Sequence, residues 1–321
     1  MTSASTRVLG RTGLEVSRLG LGLAAVGRPA YITLGRSTDL GADRSVAAMR
    51  ARSDSLLDAA YAAGVRYVDV ARSYGRAEEF LGDWLSTHDV PGAVTVGSKW
   101  GYRYTGEWRL DVTVQEVKDL SVHNLRRQFA ESRALLGDRL RLYQIHSATL
   151  ESRVLEDDAV LAELRRIKEM GLAIGLTVTG QRQAETIERA LAVGLFDTVQ
   201  ATWNLLECSA THALARAHAA GVGVIIKEAL ANGRLTAAGK EQDLLDVARE
   251  LEVAPDVIAL AAVLRQPWAD VVLSGAVTPE QLASNLAALD VVLDDTLHKR
   301  LGNLAEPAKR YWSERSRLPW V

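Results

Sequence analysis

Five times along this 321-residue chain a helical stretch ends in glycine and a short β-rich run follows. "LLDAAYAAG" precedes "VRYVDV", "ESRALLG" precedes "RLRLYQIH", and "AELRRIKEMG" precedes "LAIGLTV". "IERALAVG" then precedes "FDTVQATW", and "LARAHAAG" precedes "VGVIIK". Gly64, Gly137, Gly171, Gly194 and Gly221 read as the residues just past helix ends, where left-handed backbone is unstrained only for glycine. Ala184, Ile187 and Leu191, three and four apart, give one helix an apolar stripe. The strands are apolar along most of their length, as expected for parallel strands covered on the outside by helices. Runs at 16–23, 93–100 and 270–276 complete eight strands alternating with helices. The pattern predicts an α/β fold, a (β/α)8 TIM barrel forming one domain over residues 1–321. "RVLGRTGLEV", turning at Arg11–Gly13, predicts an N-terminal β-hairpin closing the bottom of the barrel, and an extended C-terminal tail follows the last strand. A doubly wound sheet competes through "GLGLAA", which fits G-x-G-x-x-A. That fingerprint needs a helix on its glycines, and here "VGRPAYITLGR", with Pro29, follows.

Composition removes several function classes. Lys plus Arg is 38 against 40 Asp plus Glu, a formal charge of −2, so no basic field serves nucleic acid or an anionic membrane. No signal-peptide core or membrane-length apolar run is present, and the single cysteine, Cys208, allows no internal disulfide. These features point to the cytoplasm. His212 and His218, six apart, are wrongly spaced for paired metal ligands, and no metal site is expected.

The chemistry gathers where a barrel places it, at the C-terminal strand ends. "DVARSYG" ends the second strand with Asp69 and carries Tyr74 one loop on; Lys99 ends the third strand and His146 the fourth. Singly, each has an ordinary reading: a turn residue, a solvated ammonium, a hydrogen-bonded core histidine. Together they make a proton-delivery device. A Lys99 cation beside the Tyr74 oxygen lowers a phenol pKa near 10, Asp69 keeps the amine charged, and neutral His146 orients a carbonyl. Tyr74 then protonates the alkoxide formed by hydride addition. None of the four supplies hydride, so a nicotinamide is needed.

With these residues the sequence closely resembles the aldo-keto reductase superfamily, from "LGRTGLEVSRLGLG" through "SGAVTPEQLASNL". "VDVARSYG" is similar to the family's Asp-to-Tyr-Gly segment and "SKWG" to its Lys segment. The resemblance implies an NAD(P)-dependent oxidoreductase with Asp69, Tyr74, Lys99 and His146 as catalytic residues. It also implies a nicotinamide site at Thr179, Gly180 and Gln200, with Trp203 standing where the family usually has Tyr and offering a ring to stack. The implied pyrophosphate segment, "KEALANGRL", contributes Lys227, Ala229, Leu230, Gly233 and Leu235. Family members often begin it with Ser-Pro; Lys227-Glu228 stands here, suited either to phosphate or to pairing with itself. The adenosine end falls on Gly275, Thr278, Gln281 and Asn285. Thr278 reads as an N-cap, Pro279 as N1 and Gln281 as a capping-box residue. Residues 274 to 285 contain no Lys or Arg, although Lys227, Arg234 or Lys240 could serve a 2′-phosphate, so NADP(H) and NAD(H) both remain open.

The loop after the first strand and "WGYRYTGEW" bring aromatic residues toward the mouth. Tyr31, Trp100, Tyr102, Trp108 and Trp312 are the candidates for gripping a flat or apolar substrate. The expected partner is a small carbonyl or alcohol, with oligomeric state left open. Reduction of a cyclic imine and oxidation of an aldose belong to the same chemistry. Two other readings compete: an NADP(H)-binding regulatory subunit, and a lyase or aldolase using Lys99 as a Schiff base.

Overall fold

The computed structural model describes residues 6–34, 39–88, 90 and 94–320. Two short strands, β1 (Thr6–Val8) and β2 (Glu15–Ser17), pair antiparallel with Thr6 opposite Ser17. Then come β3 (Leu19–Gly22), helix α1 (Val46–Ala62), β4 (Tyr67–Asp69), α2 (Ala77–Thr87) and β5 (Thr95–Trp100). A second hairpin, β6 (Tyr102–Tyr104) and β7 (Glu116–Lys118), precedes α3 (Val122–Leu136), β8 (Leu140–Ala148), α4 (Asp158–Glu169) and β9 (Ala173–Val178). The chain continues through α5 (Gln183–Val193), β10 (Thr198–Thr202), α6 (Thr211–Ala219) and β11 (Gly223–Lys227). Helices α7 (Gln242–Glu250) and α8 (Pro255–Leu264), strand β12 (Val271–Ser274) and helices α9 (Pro279–Ala287), α10 (Asp295–Gly302) and α11 (Ala308–Arg315) complete it.

Strands β3, β4, β5, β8, β9, β10, β11 and β12 close into a parallel barrel in that order, β12 pairing back onto β3. They are the eight runs anticipated from the sequence; Ala93, assigned to the third of them, lies outside the described residues, as do residues 35–38 of the first loop. The five glycines at the helix ends all have positive φ. In α5 the buried face is Gln183, Thr186, Ile187 and Ala190, while Ala184 and Leu191 are only half-buried. The expected apolar stripe is thus offset by about a residue, because Gln183 turns inward to donate to the Thr202 carbonyl at 2.9 Å.

The N-terminal hairpin plugs one end. Its Leu9, Leu14 and Val16 pack on Tyr67, Leu142, Ile225 and Val271 from four barrel strands. A Cβ on Gly10 would come within 2.3 Å of the Gly223 backbone nitrogen, so only glycine lets the turn seat this closely. The other end carries the long loops. The loop after β3 and the tail after α11 meet there in an antiparallel bridge between Ile32 and Trp320.

Candidate active site

Asp69 and Lys99 reach the open end of the barrel from neighbouring strands, Asp69 lying opposite Gly97 in the β4–β5 register. Both are almost wholly buried, at 2% and 1% exposure. The Lys99 ammonium forms an ion pair with Asp69 Oδ1 and donates to the Val70 carbonyl at 2.9 Å. Asp69 Oδ2 accepts from Gln200 Nε2 at 2.9 Å and from the Tyr67 hydroxyl at 3.3 Å. A buried pair recovers its desolvation cost only when the remaining lone pairs and protons are bonded, and here they are largely bonded.

Tyr74 lies against this pair, its ring centroid 4.8 Å from Lys99 Nζ. The His146 ring meets Tyr74 edge-on at 5.5 Å and Tyr102 at 5.0 Å, and Ser73 Oγ lies 3.4 Å from His146 Nδ1. Burial, then the Lys99, Lys227, Arg28 and Lys118 cations, push the His146 pKa well below its usual value, so the imidazole is neutral. Tyr74 departs from the sequence expectation. Burial and the Asp69 carboxylate raise its pKa well above the ordinary phenol value. Lys99 does not reverse this, because its charge is matched by the carboxylate it holds.

The loop carrying Tyr74 is fixed by a network the sequence reading missed. Glu78, at 1% exposure, accepts from Arg72 Nη1 at 2.7 Å through one oxygen. Its other oxygen accepts from Ser98 Oγ at 2.5 Å and Ser132 Oγ at 2.7 Å. Arg72 also bonds Glu131, and its backbone N–H donates to the Lys99 carbonyl at 3.1 Å. One buried carboxylate therefore ties together the Tyr74 loop, the strand bearing Lys99 and helix α3. The adjoining loop passes so close that a Cβ on Gly75, at φ +60°, would lie 2.5 Å from the Gly27 carbonyl.

A cavity of about 640 Å³ extends from Asp69, Tyr74 and His146 to the wall formed by Ser274–Val277 and Gln281–Asn285. Of the anticipated cofactor residues, Thr179, Gln200, Lys227, Ala229, Leu230, Gly233, Gly275, Gln281 and Asn285 line it. Gly180, Leu235 and Thr278 do not; Leu235 is wholly buried and Thr278 caps α9, accepting from Gln281 N at 3.3 Å. Trp203 does not reach the cavity either. Its ring packs edge-on against Trp268 at 5.4 Å and its Nε1 donates to Thr211 at 2.8 Å, which places it in the wall rather than in a stacking position.

Of the anticipated substrate aromatics only Tyr31 lines the cavity, joined by Trp320. Trp100 is wholly buried among core side chains, Trp108 packs on Phe80 with its Nε1 on the Arg44 carbonyl, and Trp312 meets Tyr311 edge-on. Tyr102 stays beside His146 without lining the cavity. Charged residues not foreseen as site residues also line it, among them Arg28, Glu116, Glu228 and Arg315. Arg28 is paired with Glu116 at 2.7 Å and lies 5.5 Å from the Tyr74 ring centroid and 4.8 Å from that of Trp320. Glu228 is held bidentately by Arg315 at 2.7 and 2.5 Å, which leaves Lys227 3.8 Å from it and donating to Thr202 Oγ1 at 2.8 Å. Burial brings Lys227 down to about 8. No local signal marks Arg28 or Glu116; tertiary folding of the tail and loops brings these residues in.

The aldo/keto reductase family model matches residues 19–306. The chain is 28% identical to the NADH-specific methylglyoxal reductase of Escherichia coli, covering 94% of this chain and 98% of that one. It is 26% identical to the pyridoxal 4-dehydrogenase of Microbacterium luteolum, covering 92% and 96%. Among solved structures, an aldo-keto reductase from Bacillus halodurans in its holo form superposes with a TM-score of 0.73 over 95% of this chain and 97% of that one; at 21% identity it supports the fold alone. A barrel with a Lys–Asp pair beneath a tyrosine, matched by the family over most of its length, belongs to the aldo/keto reductase family and is an NAD(P)-dependent oxidoreductase of that type.

Proposed function

We propose that this enzyme moves hydride between a nicotinamide dinucleotide and a small carbonyl or alcohol, with Asp69, Tyr74, Lys99 and His146 performing the proton chemistry. The observation that carries this reading is the buried Lys99–Asp69 pair set 4.8 Å from the Tyr74 ring, with neutral His146 against its edge.

The residues present suit a dinucleotide. The cavity has the size of a cofactor site, its polar lining includes Thr179, Gln200 and Lys227, and a Cβ at Gly275 would meet nothing within 4 Å, leaving open space beside that backbone. Thr179 and Gln200 would hold the carboxamide, Lys227 and the Ala229–Gly233 backbone the pyrophosphate, and the 275–285 wall the adenosine. The cofactor, when bound, supplies or accepts the hydride. His146 donates to the carbonyl oxygen and orients it. Tyr74 delivers its proton to that oxygen as negative charge develops. The Lys99 ammonium, held in place by Asp69, stabilises the phenolate left behind. Lys99 does not line the cavity and its ammonium is committed to Asp69 and Val70, which weighs against a Schiff-base lyase. The single cysteine fits a reducing compartment, and we assign the enzyme to the cytoplasm, acting as one domain; no helix among the described residues is long and apolar enough to cross a membrane.

Fluorescence titration with NADH and NADPH, followed by nicotinamide absorbance assays on aldehydes, ketones and cyclic imines, tests the reading. Saturable binding with turnover on at least one substrate class is expected. Binding without turnover across the panel would favour a regulatory subunit, and failure to bind either cofactor would remove the proposal.

A further inference from the structure

The cavity's lining cations are gathered at one end, where each lies beside a carboxylate. Among the described residues its lining cations are Arg28, Lys227 and Arg315. All three belong to the Tyr74 end, Arg28 beside the Tyr74 ring and the other two around Glu228. At the far end the starts of α8 and α9 contribute the carboxylates of Asp256 and Glu280, and Asp39 of the first loop also lines the cavity. The three basic residues that the sequence offered to a 2′-phosphate are elsewhere. Lys227 is at the other end, Arg234 is held by Glu241, Glu306 and Glu314, and exposed Lys240 does not line the cavity.

The helix terminus at this wall is already filled by the chain's own oxygens. Gln281 N donates to Thr278 Oγ1 at 3.3 Å, Val277 N to Gln281 Oε1 at 3.0 Å and Ala276 N to Ser274 Oγ at 3.2 Å. Pro279 has no N–H to offer. Glu280 lines the cavity from the first turn of α9, where a helix terminus would receive a phosphate. Asp256 is fixed as an acceptor. Its Oδ2 takes Ser284 Oγ and Asn285 Nδ2, both at 2.9 Å, and Asn285 is itself bonded by Ser274 Oγ at 2.7 Å.

We propose, resting on the dinucleotide reading above, that this wall selects NAD(H) over NADP(H): Asp256 accepts from an adenosine-ribose hydroxyl, and Glu280 excludes a 2′-phosphate. A ribose hydroxyl donates to a carboxylate, whereas a phosphate of charge about −2 meets two carboxylates and, among the described residues, no compensating cation.

Calorimetric titration of the whole chain with NADH and with NADPH tests this without turnover. The wild-type protein is expected to bind NADH at least about ten-fold more tightly, as like-charge exclusion requires. Glu280→Arg should tighten NADPH by about ten-fold and leave NADH within about three-fold, by supplying the missing fork. Asp256→Ala should weaken NADH by about ten-fold and NADPH much less. Equal or tighter NADPH binding by the wild type, or a selectivity gap that persists in Glu280→Arg, overturns the inference while leaving the dinucleotide reading intact. Failure of both nucleotides to bind removes both.

Discussion

A tyrosine buried beside a carboxylate keeps its proton, and Tyr74 is such a tyrosine. In the role proposed for it, Tyr74 is then a donor ready for carbonyl reduction and a base only at high pH. Alcohol oxidation, which needs the phenolate, should therefore rise about ten-fold per pH unit through the accessible alkaline range, while reduction stays level between about pH 6 and 8. The level profile follows because His146 is neutral and Tyr74 protonated throughout; initial rates in both directions check it, and an inflection in reduction near the ordinary histidine pKa would contradict it. Lys227 behaves differently. Its pKa is lowered to about 8, so it is charged below that pH and neutral above it. Cofactor affinity should weaken as pH rises through about 8, and Lys227→Met should bind more weakly with a flat profile, measured by fluorescence titration. That Asp69, Lys99 and His146 gather at one end of the barrel was legible because strand ends have fixed places in it. The direction of the Tyr74 shift was not, since it depends on how much of the Lys99 charge Asp69 consumes. Trp203 was misplaced for a similar reason: nothing near it in the chain announces that its partner is Trp268.

At the level of elements, the loops and tail do what the strands cannot. The barrel offers Lys99 and Asp69, but the loop after β4 must hold Tyr74 over them, and the Glu78 network fixes that loop from behind. Glu78→Gln keeps the volume and removes the charge that Arg72 pairs with. It should lower kcat by about ten-fold with cofactor Kd unchanged, and reduce stability by about 2 kcal/mol. Steady-state kinetics beside thermal unfolding check this; a loss of stability with kcat intact would make Glu78 a purely structural residue. The strands themselves were legible from glycine-terminated helices and apolar runs. The carboxylate network was not, because "RAEEFLG" reads equally well as a solvated first turn. The tail likewise announces its aromatics but not that Arg315 returns to Glu228 or that Trp320 pairs with Ile32.

Taken whole, the molecule is a closed barrel plugged at one end by a hairpin and roofed at the other by loops and tail. The roof leaves a long cavity that begins at Asp69, Tyr74 and His146 and ends at an acidic wall. The arrangement is divided: strands hold the Lys99–Asp69 pair, and loops and tail build most of the cavity's charged lining. The fold was visible in the chain's periodicity, which also placed Asp69, Lys99 and His146 at strand ends. The charged lining of the cavity became visible only once distant segments were brought together. The most direct measurement compares wild-type protein and Tyr74→Phe in single-turnover consumption of reduced nicotinamide, with cofactor affinity measured on both. The variant should lose at least about 100-fold in rate while cofactor Kd stays within about three-fold. A variant retaining more than about a tenth of the wild-type rate would contradict the assignment of Tyr74 as proton donor.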